Sequence, residues 1–253
     1  MVEQLEREGF LVIPGFFSAS LCRNLIDRVE ELYAQEGERA GSEFRGEPGT
    51  RRLANLADKG EIFRDVFANA EILGYIGHLL RPRFKLSSLN ARSAEPHEQG
   101  HQPLHVDQGL LPDAGGAVVA NVVWMLDDFT PENGAMRAVP RTHLSGRRPQ
   151  EVLADPNAPH PDEVLVTGKA GTVCVMNAHL WHGGTANRTT APRRAIHSFY
   201  CRFDVAQQQY QKRLLRPETQ AAMPAPLRAL LALEDPLNDE LCAQVTSQSG
   251  FLK

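Results

Sequence analysis

Six short strand-like runs between Phe84 and Phe203 limit most strongly what this chain can fold into. They are Phe84 to Arg92, Ala117 to Leu126, Ala135 to Val139, Glu163 to Val166, Thr172 to Met176 and Ala195 to Phe203. Turn residues separate them, among them Gly115-Gly116, Asn133-Gly134, Gly168 and Gly183-Gly184. Short strands at such intervals pack as a sandwich or close into a barrel.

The residues before Pro82 have a different texture. FLVI, from Phe10 to Ile13, reads as a short strand ended by Pro14-Gly15. Ser18 or Ser20 is placed to cap a following helix, in which Leu21, Cys22, Leu25, Ile26, Val29, Leu32 and Tyr33 recur on one face. Ile62 to Leu80 carries a similar stripe for one or two further helices. Between them, the polar, Gly-rich stretch from Gly37 to Thr50 reads as a mobile loop. With Arg39, Arg45, Arg51 and Arg52, the Gly37–Arg52 segment is a candidate lid, although charged loops are usually just solvated. Helix returns around Leu214 and from Pro226 to Leu233, followed by a polar tail expected to be disordered.

Composition excludes several function classes. A formal charge of -4 offers no basic surplus for neutralising phosphates, so nucleic acid is not the expected partner. No apolar run reaches bilayer-spanning length. The start MVEQLEREGF lacks the features of a secretory signal, and Cys22, Cys174, Cys201 and Cys242 show no paired spacing. They read as buried small hydrophobes in a reduced compartment, so the expected location is cytoplasmic.

The chemistry-bearing residues cluster in the strand-rich part. In HEQGHQPLHVD, Pro96, Gly100 and Pro103 argue against a helix, so the stretch reads as a loop entering a strand at Leu104. On a strand, His105 and Asp107 point the same way, as two ligands of one metal must. A lone H-x-D pair is weak evidence. A second imidazole comes from NAHLWHGG, where both His179 and His182 are candidates, and Gly183-Gly184 allows the close backbone approach that favours His182. Arg193 and Arg194 follow, one of them facing inward and able to grip a carboxylate. Two imidazoles, one carboxylate and a nearby arginine are a set that holds a single non-haem Fe(II) with coordination positions left open.

The run from His105 to Arg194 resembles the phytanoyl-CoA dioxygenase family of Fe(II)/2-oxoglutarate oxygenases. The resemblance lies in QPLHVD, NVVWMLDDFTPENGAMRAVPRTH and GTVCVMNAHLWHGGTANRTTAPRR. It implies a mainly β fold with flanking helices, built on a double-stranded β-helix (jelly roll, cupin-like) core. It implies His105, Asp107 and His182 as iron ligands, Arg193 as the partner of the remote 2-oxoglutarate carboxylate, and Gln102 as a further cosubstrate contact. Arg194 becomes the outward neighbour, and the turn at Asn133-Gly134 is structural. The departures are Pro140-Arg141-Thr142-His143 where the family often has Pro-Gly-Ser-His, and Pro96-His97 in place of a Pro-Gly. Neither position is a ligand.

The expectation is one oxygenase domain over 1-253: a mainly helical part over 1-82, the jelly roll over 83-204 and a helical part over 205-253. Its cofactors are Fe(II), 2-oxoglutarate and O2. The implied reaction hydroxylates an unactivated C–H of a small-molecule substrate, with succinate and CO2 as coproducts. Asp107 stands where halogenating relatives have a small residue, which favours hydroxylation; desaturation and ring closure depend on substrate placement. Asn90 and Arg92 share a strand face and are candidate substrate contacts, and Lys85 is similar. Trp124 and Asn121 lie on opposite faces, so at most one faces inside, while Trp181 lines the cavity or packs in the core. A monomer or small homo-oligomer is expected. The competing classes are a non-catalytic jelly-roll binding protein and a cupin-type metal enzyme that does not use 2-oxoglutarate.

Overall fold

Two antiparallel sheets face one another, and strand alternation decides which side chains meet between them. The computed structural model describes residues 1–97 and 100–245. Part of the loop before Leu104 lies outside them, as do residues 246–253, the end of the tail expected to be disordered after Leu233. Among the described residues the larger sheet has six strands, in the order β1 (Phe10–Ile13), β7 (Val173–Asn177), β4 (Val119–Met125), β9 (Arg193–Arg202), β3 (Phe84–Ala94) and β2 (Thr50–Leu53). The smaller sheet is β6 (Val164–Val166), β5 (Met136–Val139) and β8 (Trp181–Gly184). This is the jelly-roll core with flanking helices that the strand pattern and the motifs imply.

The outer face of the larger sheet is covered by helices. Ala120, Val122, Trp124, Val175, Ile196 and Tyr200 belong to one apolar core with residues of α2 (Ala19–Glu36) and α4 (Ala70–Leu80). Leu25, Val29, Ile72 and Ile76 carry that core from the helix side, and all four are fully buried. Trp124 stacks against Phe16 and Phe17 with ring centroids 5.6 and 5.4 Å away, and its Nε1 donates to Ser198 Oγ. Ser18, one of the two expected caps, accepts from Leu21 N at the start of α2. Asn69 caps α4 by accepting from Glu71 N and Ile72 N.

Several elements were not legible beforehand. The acidic N-terminus forms α1 (Val2–Glu8) and Thr-Arg-Arg-Leu forms the edge strand β2, while the Ile62–Leu80 stripe divides into the two helices allowed for it, a short α3 (Arg64–Phe67) and α4. The helices expected around Leu214 and over 226–233 are α5 (Gln211–Leu214) and α7 (Ala225–Leu230); α6 (Pro217–Ala221) and α8 (Pro236–Ala243), the latter in a stretch expected to be polar and disordered, are additional. Proline opens α6 and α8 near their first positions, where its missing N–H costs nothing. The strand expected to begin at Leu104 is a single bridge, His105 to His182, followed at once by a 3-10 turn over Asp107–Gly109. Gln108, at φ 53, turns the chain out of the ladder there.

The Gly37–Arg52 segment folds over one end of the space between the sheets. Phe44 is buried and stacks under the Arg52 guanidinium. Glu47 bridges two arginines that line the interior: its carboxylate lies 2.5 Å from Arg52 Nη2 and 2.8 Å from Arg92 Nη2. Glu47, Arg52 and Arg92 are only 11–14% exposed as side chains. The stretch read as a mobile loop is therefore fastened at its polar centre by a buried ion pair.

Burial alone would raise the Glu47 pKa, but Arg92 and Arg52 outweigh it and hold the carboxyl down at about 2. A lowered carboxyl pKa gives stability that is complete above the unfolded value near 4.5 and is lost as pH falls through about 2. Glu47→Gln should therefore destabilise the protein by ~3 kcal/mol at pH 7. The gap to the parent should close between about pH 4.5 and pH 2 in urea titrations run across pH.

Candidate metal centre

The cavity side of the larger sheet is set by register. Asn90 lies opposite His197 and Ala94 opposite Arg193 in the β3–β9 ladder, while Asn121 lies opposite Phe199 in the β4–β9 ladder. Directly opposed residues share a face, and alternation adds Arg92 and Val123 to it. The resulting cavity, about 320 Å³, is lined among others by Gln102, His105, Asp107, His182 and Arg193.

Three of these side chains converge. Ligand atoms of His105, Asp107 and His182 all lie within 4.8 Å of one another. His105 and His182 exchange both backbone hydrogen bonds, at 2.9 and 3.1 Å, which brings their rings to 4.4 Å between centroids at a 48° tilt. Leu104 and Val106, one residue either side of His105, are buried in an apolar cluster with Val139 and Trp181. That alternation is what aims His105 and Asp107 inward.

Each imidazole is oriented through its second nitrogen. His105 Nδ1 is 2.9 Å from Pro103 O and His182 Nδ1 is 2.9 Å from Leu180 O. Each Nδ1 therefore carries a proton, and Nε2, the nitrogen on the Asp107 side, is the one that could bind a metal. Asp107 Oδ1 is 3.6 Å from His182 Nε2 and 4.0 Å from His105 Nε2. Asp107 Oδ2 accepts from Asn121 Nδ2 at 2.9 Å. Burial and the neighbouring His182 push His105 down to about 4. Burial would also lower His182, but Asp107 lifts it above its ordinary value. Asp107 itself, despite burial, is held well below the usual carboxylate range by the two imidazoles and the Asn121 amide. The centre is thus an anionic oxygen flanked by two imidazole nitrogens, a donor set suited to a divalent transition metal.

Arg193 is buried in the same cavity at 3% exposure. Its Nη2 donates to Gly134 O at 2.7 Å, and its guanidinium lies 4.2 Å over the Phe129 ring. Burial, then the neighbouring Arg92, lower its pKa to about 9, so it stays cationic at neutral pH. Nε is buried and without a hydrogen-bond partner. The turn that receives Arg193 is built by Asn133, which accepts from Thr130 N and donates to Asp128 O, and by Gly134 at φ +87. Arg194 points away, paired with Asp127 and Glu30.

Gln102 lines the cavity and its Oε1 accepts from Gly184 N. At Gly183 any Cβ would meet Gln102 O at 2.8 Å, so the Gly-Gly step serves the close passage of these two segments. Asn90 and Arg92 both line the cavity, with Arg92 tied to Glu47. Of the two histidine candidates, His179 is outside it, bonded to Leu110 O and Val118 N. Lys85 is not part of the cavity: its Nζ donates to Phe203 O. Trp181 packs with Leu104 and Val139 and donates to Arg147 O, and Trp124 faces the helices.

The sequence reading missed His197 and the pairing of Asn121 with Asp107. His197 lies four residues beyond Arg193 on one strand, so two-residue alternation could have found it. Its Nε2 is buried without a partner, and burial, then Arg92 and Arg52, push it down to about 3.

Comparison with known proteins agrees with this geometry. A dioxygenase of Aspergillus fumigatus, af480, is 29% identical over 206 residues, covering 76% of this chain and 62% of its own length. The chain thus spans about three fifths of that relative. L-proline trans-4-hydroxylase of Streptomyces griseoviridis is 25% identical over 218 residues, covering 75% of this chain and 81% of its own. HygX of Streptomyces hygroscopicus, solved with nickel and 2-oxoglutarate bound, superposes with a TM-score of 0.66 at 19% identity over 82% of this chain and 89% of its own, and so shares the fold. No helix among the described residues is long and apolar enough to cross a membrane. The family model described as phytanoyl-CoA dioxygenase (PhyH) matches residues 5–195, across both sheets and the centre between them, and the chain belongs to that family.

Proposed function

We propose that this chain is a non-haem Fe(II)- and 2-oxoglutarate-dependent dioxygenase that hydroxylates an unactivated C–H of a small molecule, releasing succinate and CO2. The observation that carries the reading is the convergence of His105, Asp107 and His182 in the cavity that also contains buried Arg193. The Streptomyces hydroxylase, and the fold neighbour solved with nickel and 2-oxoglutarate, support it. The reading treats 1-253 as one cytoplasmic oxygenase domain.

In this reading His105, Asp107 and His182 hold the iron. When bound, the iron supplies the activation of O2 that is coupled to decarboxylation of 2-oxoglutarate. Arg193 binds the remote carboxylate of 2-oxoglutarate. Gly134 O and the Phe129 ring hold its guanidinium plane in advance, so little side-chain entropy is lost on binding. Gln102, fixed through its Oε1 to Gly184, offers its amide NH2 to the same cosubstrate. Asn90 and Arg92 contact the substrate, and His197, opposite Asn90, adds an imidazole that stays neutral at physiological pH. Val123, Met136, Met176 and Phe199 form the apolar part of the wall, keeping water from the reacting centre and orienting the C–H bond. The Asp107 carboxylate keeps a halide from that coordination position, which favours hydroxylation.

Anaerobic addition of Fe(II) and 2-oxoglutarate should produce a weak visible charge-transfer band. The band should be absent from His105→Ala; its absence from well-folded parent protein would overturn the proposal. Arg193→Ala should raise the 2-oxoglutarate dissociation constant roughly 30- to 1,000-fold, the equivalent of ~2–4 kcal/mol for a buried charge-assisted pair, while leaving Fe(II) affinity in place. Equal loss of both affinities would mean that Arg193 has a different role.

A further inference from the structure

We infer that Asn121 is a positioning residue that makes Asp107 a one-oxygen ligand, and so decides how many coordination positions the metal keeps open. The inference rests on the metal reading above. Asn121 is 7% exposed on the cavity face of β4, and its backbone is fixed by two ladders at once, opposite Met176 of β7 and Phe199 of β9. From there its Nδ2 donates to Asp107 Oδ2 at 2.9 Å. The other oxygen, Oδ1, is the one within 3.6 and 4.0 Å of the two imidazole Nε2 atoms. The two oxygens of one carboxylate are therefore assigned different tasks before any ion arrives.

Coordination number makes the difference matter. Two imidazoles and one carboxylate oxygen occupy three sites of a six-coordinate ion and leave three. A keto acid chelating through two atoms then leaves one more. If Asp107 supplied both oxygens, the same chelation would fill the ion. A hydrogen bond from a neutral amide prevents this by engaging Oδ2 and fixing the carboxylate plane, and it adds no charge that would compete with the metal. A carboxylate at position 121 would repel Asp107, and a lysine would neutralise it.

The cost of keeping an amide here also points to this role. Val119, Val123 and Met125 of the same strand are buried and apolar. Asn121 Oδ1, by contrast, is buried with no hydrogen-bond partner. An orphaned buried acceptor costs about 1–3 kcal/mol. An asparagine that only filled the sheet would be better replaced by valine; the Nδ2 donation to Asp107 is the contact that justifies it.

The test uses Co(II), which reports its ligand field and is not turned over with O2. Asn121→Ala should bind Co(II) roughly 10–100-fold more weakly. Its Co(II) absorption spectrum should change as Oδ2 joins the ion, and 2-oxoglutarate should bind the Co(II)-loaded variant at least about 10-fold more weakly, although Arg193 is intact. If the alanine variant does not fold, Asn121→Ser makes the same test, because its hydroxyl is too short to reach Oδ2. A folded variant whose Co(II) spectrum and 2-oxoglutarate affinity equal those of the parent would overturn the inference. Parent protein that takes up no Co(II) would instead overturn the metal centre on which it rests.

Discussion

The two backbone hydrogen bonds between His105 and His182 are the constraint on which the rest of the centre depends. They join a loop that belongs to neither sheet to β8, and they place two distant imidazoles directly opposite one another. A slip of one residue in either segment would turn one ring to the opposite face. The register is pinned on both sides: Gln102 N donates to Gly184 O, and Asp107 N donates to Ala178 O. It is pinned again from behind, where His182 pairs with Ala138 of β5. Leu104 and Val106 add apolar burial that only the observed register satisfies. The relative placement of the two imidazoles is therefore set by a β-bridge and its hydrophobic backing.

A second feature follows from where the charges sit. Arg52, Arg92 and Arg193 all line one cavity, and guanidinium groups in a low-dielectric space are expensive unless paired. Arg52 and Arg92 meet the Glu47 carboxylate, carried in by the segment that closes over the cavity. Among the described residues Arg193 meets a carbonyl and an aromatic face rather than a carboxylate, and burial, then Arg92, lower its pKa. The arginine most in need of an anion is thus the one read as the cosubstrate's partner, while the pair farther along β2 and β3 anchors the covering segment.

What the sequence revealed, and what it did not, separates along physical lines. Strand alternation and turn glycines are local signals, and the six runs after Pro82 all became strands with ends shifted by a few residues. Alternation required that one of Arg193 and Arg194 face inward, and the family resemblance chose Arg193; the structure has Arg193 in the cavity and Arg194 outside it. His179 and His182 could not be separated by spacing, because the choice depends on which one faces β5 and His105, a non-local fact. The edge strand β2 was hidden because Thr-Arg-Arg-Leu has the composition of a solvated loop; Arg52 meets the Glu47 carboxylate, while Arg51 pairs with Glu30 and Glu95 at the surface. The tie between Asn121 and Asp107 was invisible for the same reason. It needs a turn at Gln108 and a three-strand register to bring the two side chains together.

That dependence on register also bears on how the Asp107 carboxylate is held. The chain turns out of the ladder right after Asp107, at Gln108 with φ 53, so alternation aims the Asp107 side chain inward but does not fix the plane of its carboxylate. Something outside the loop must fix its plane. Asn121 does so from the most constrained place available, the middle of a central strand hydrogen-bonded on both sides. The loop side of the centre is thereby tied to a central strand of the larger sheet.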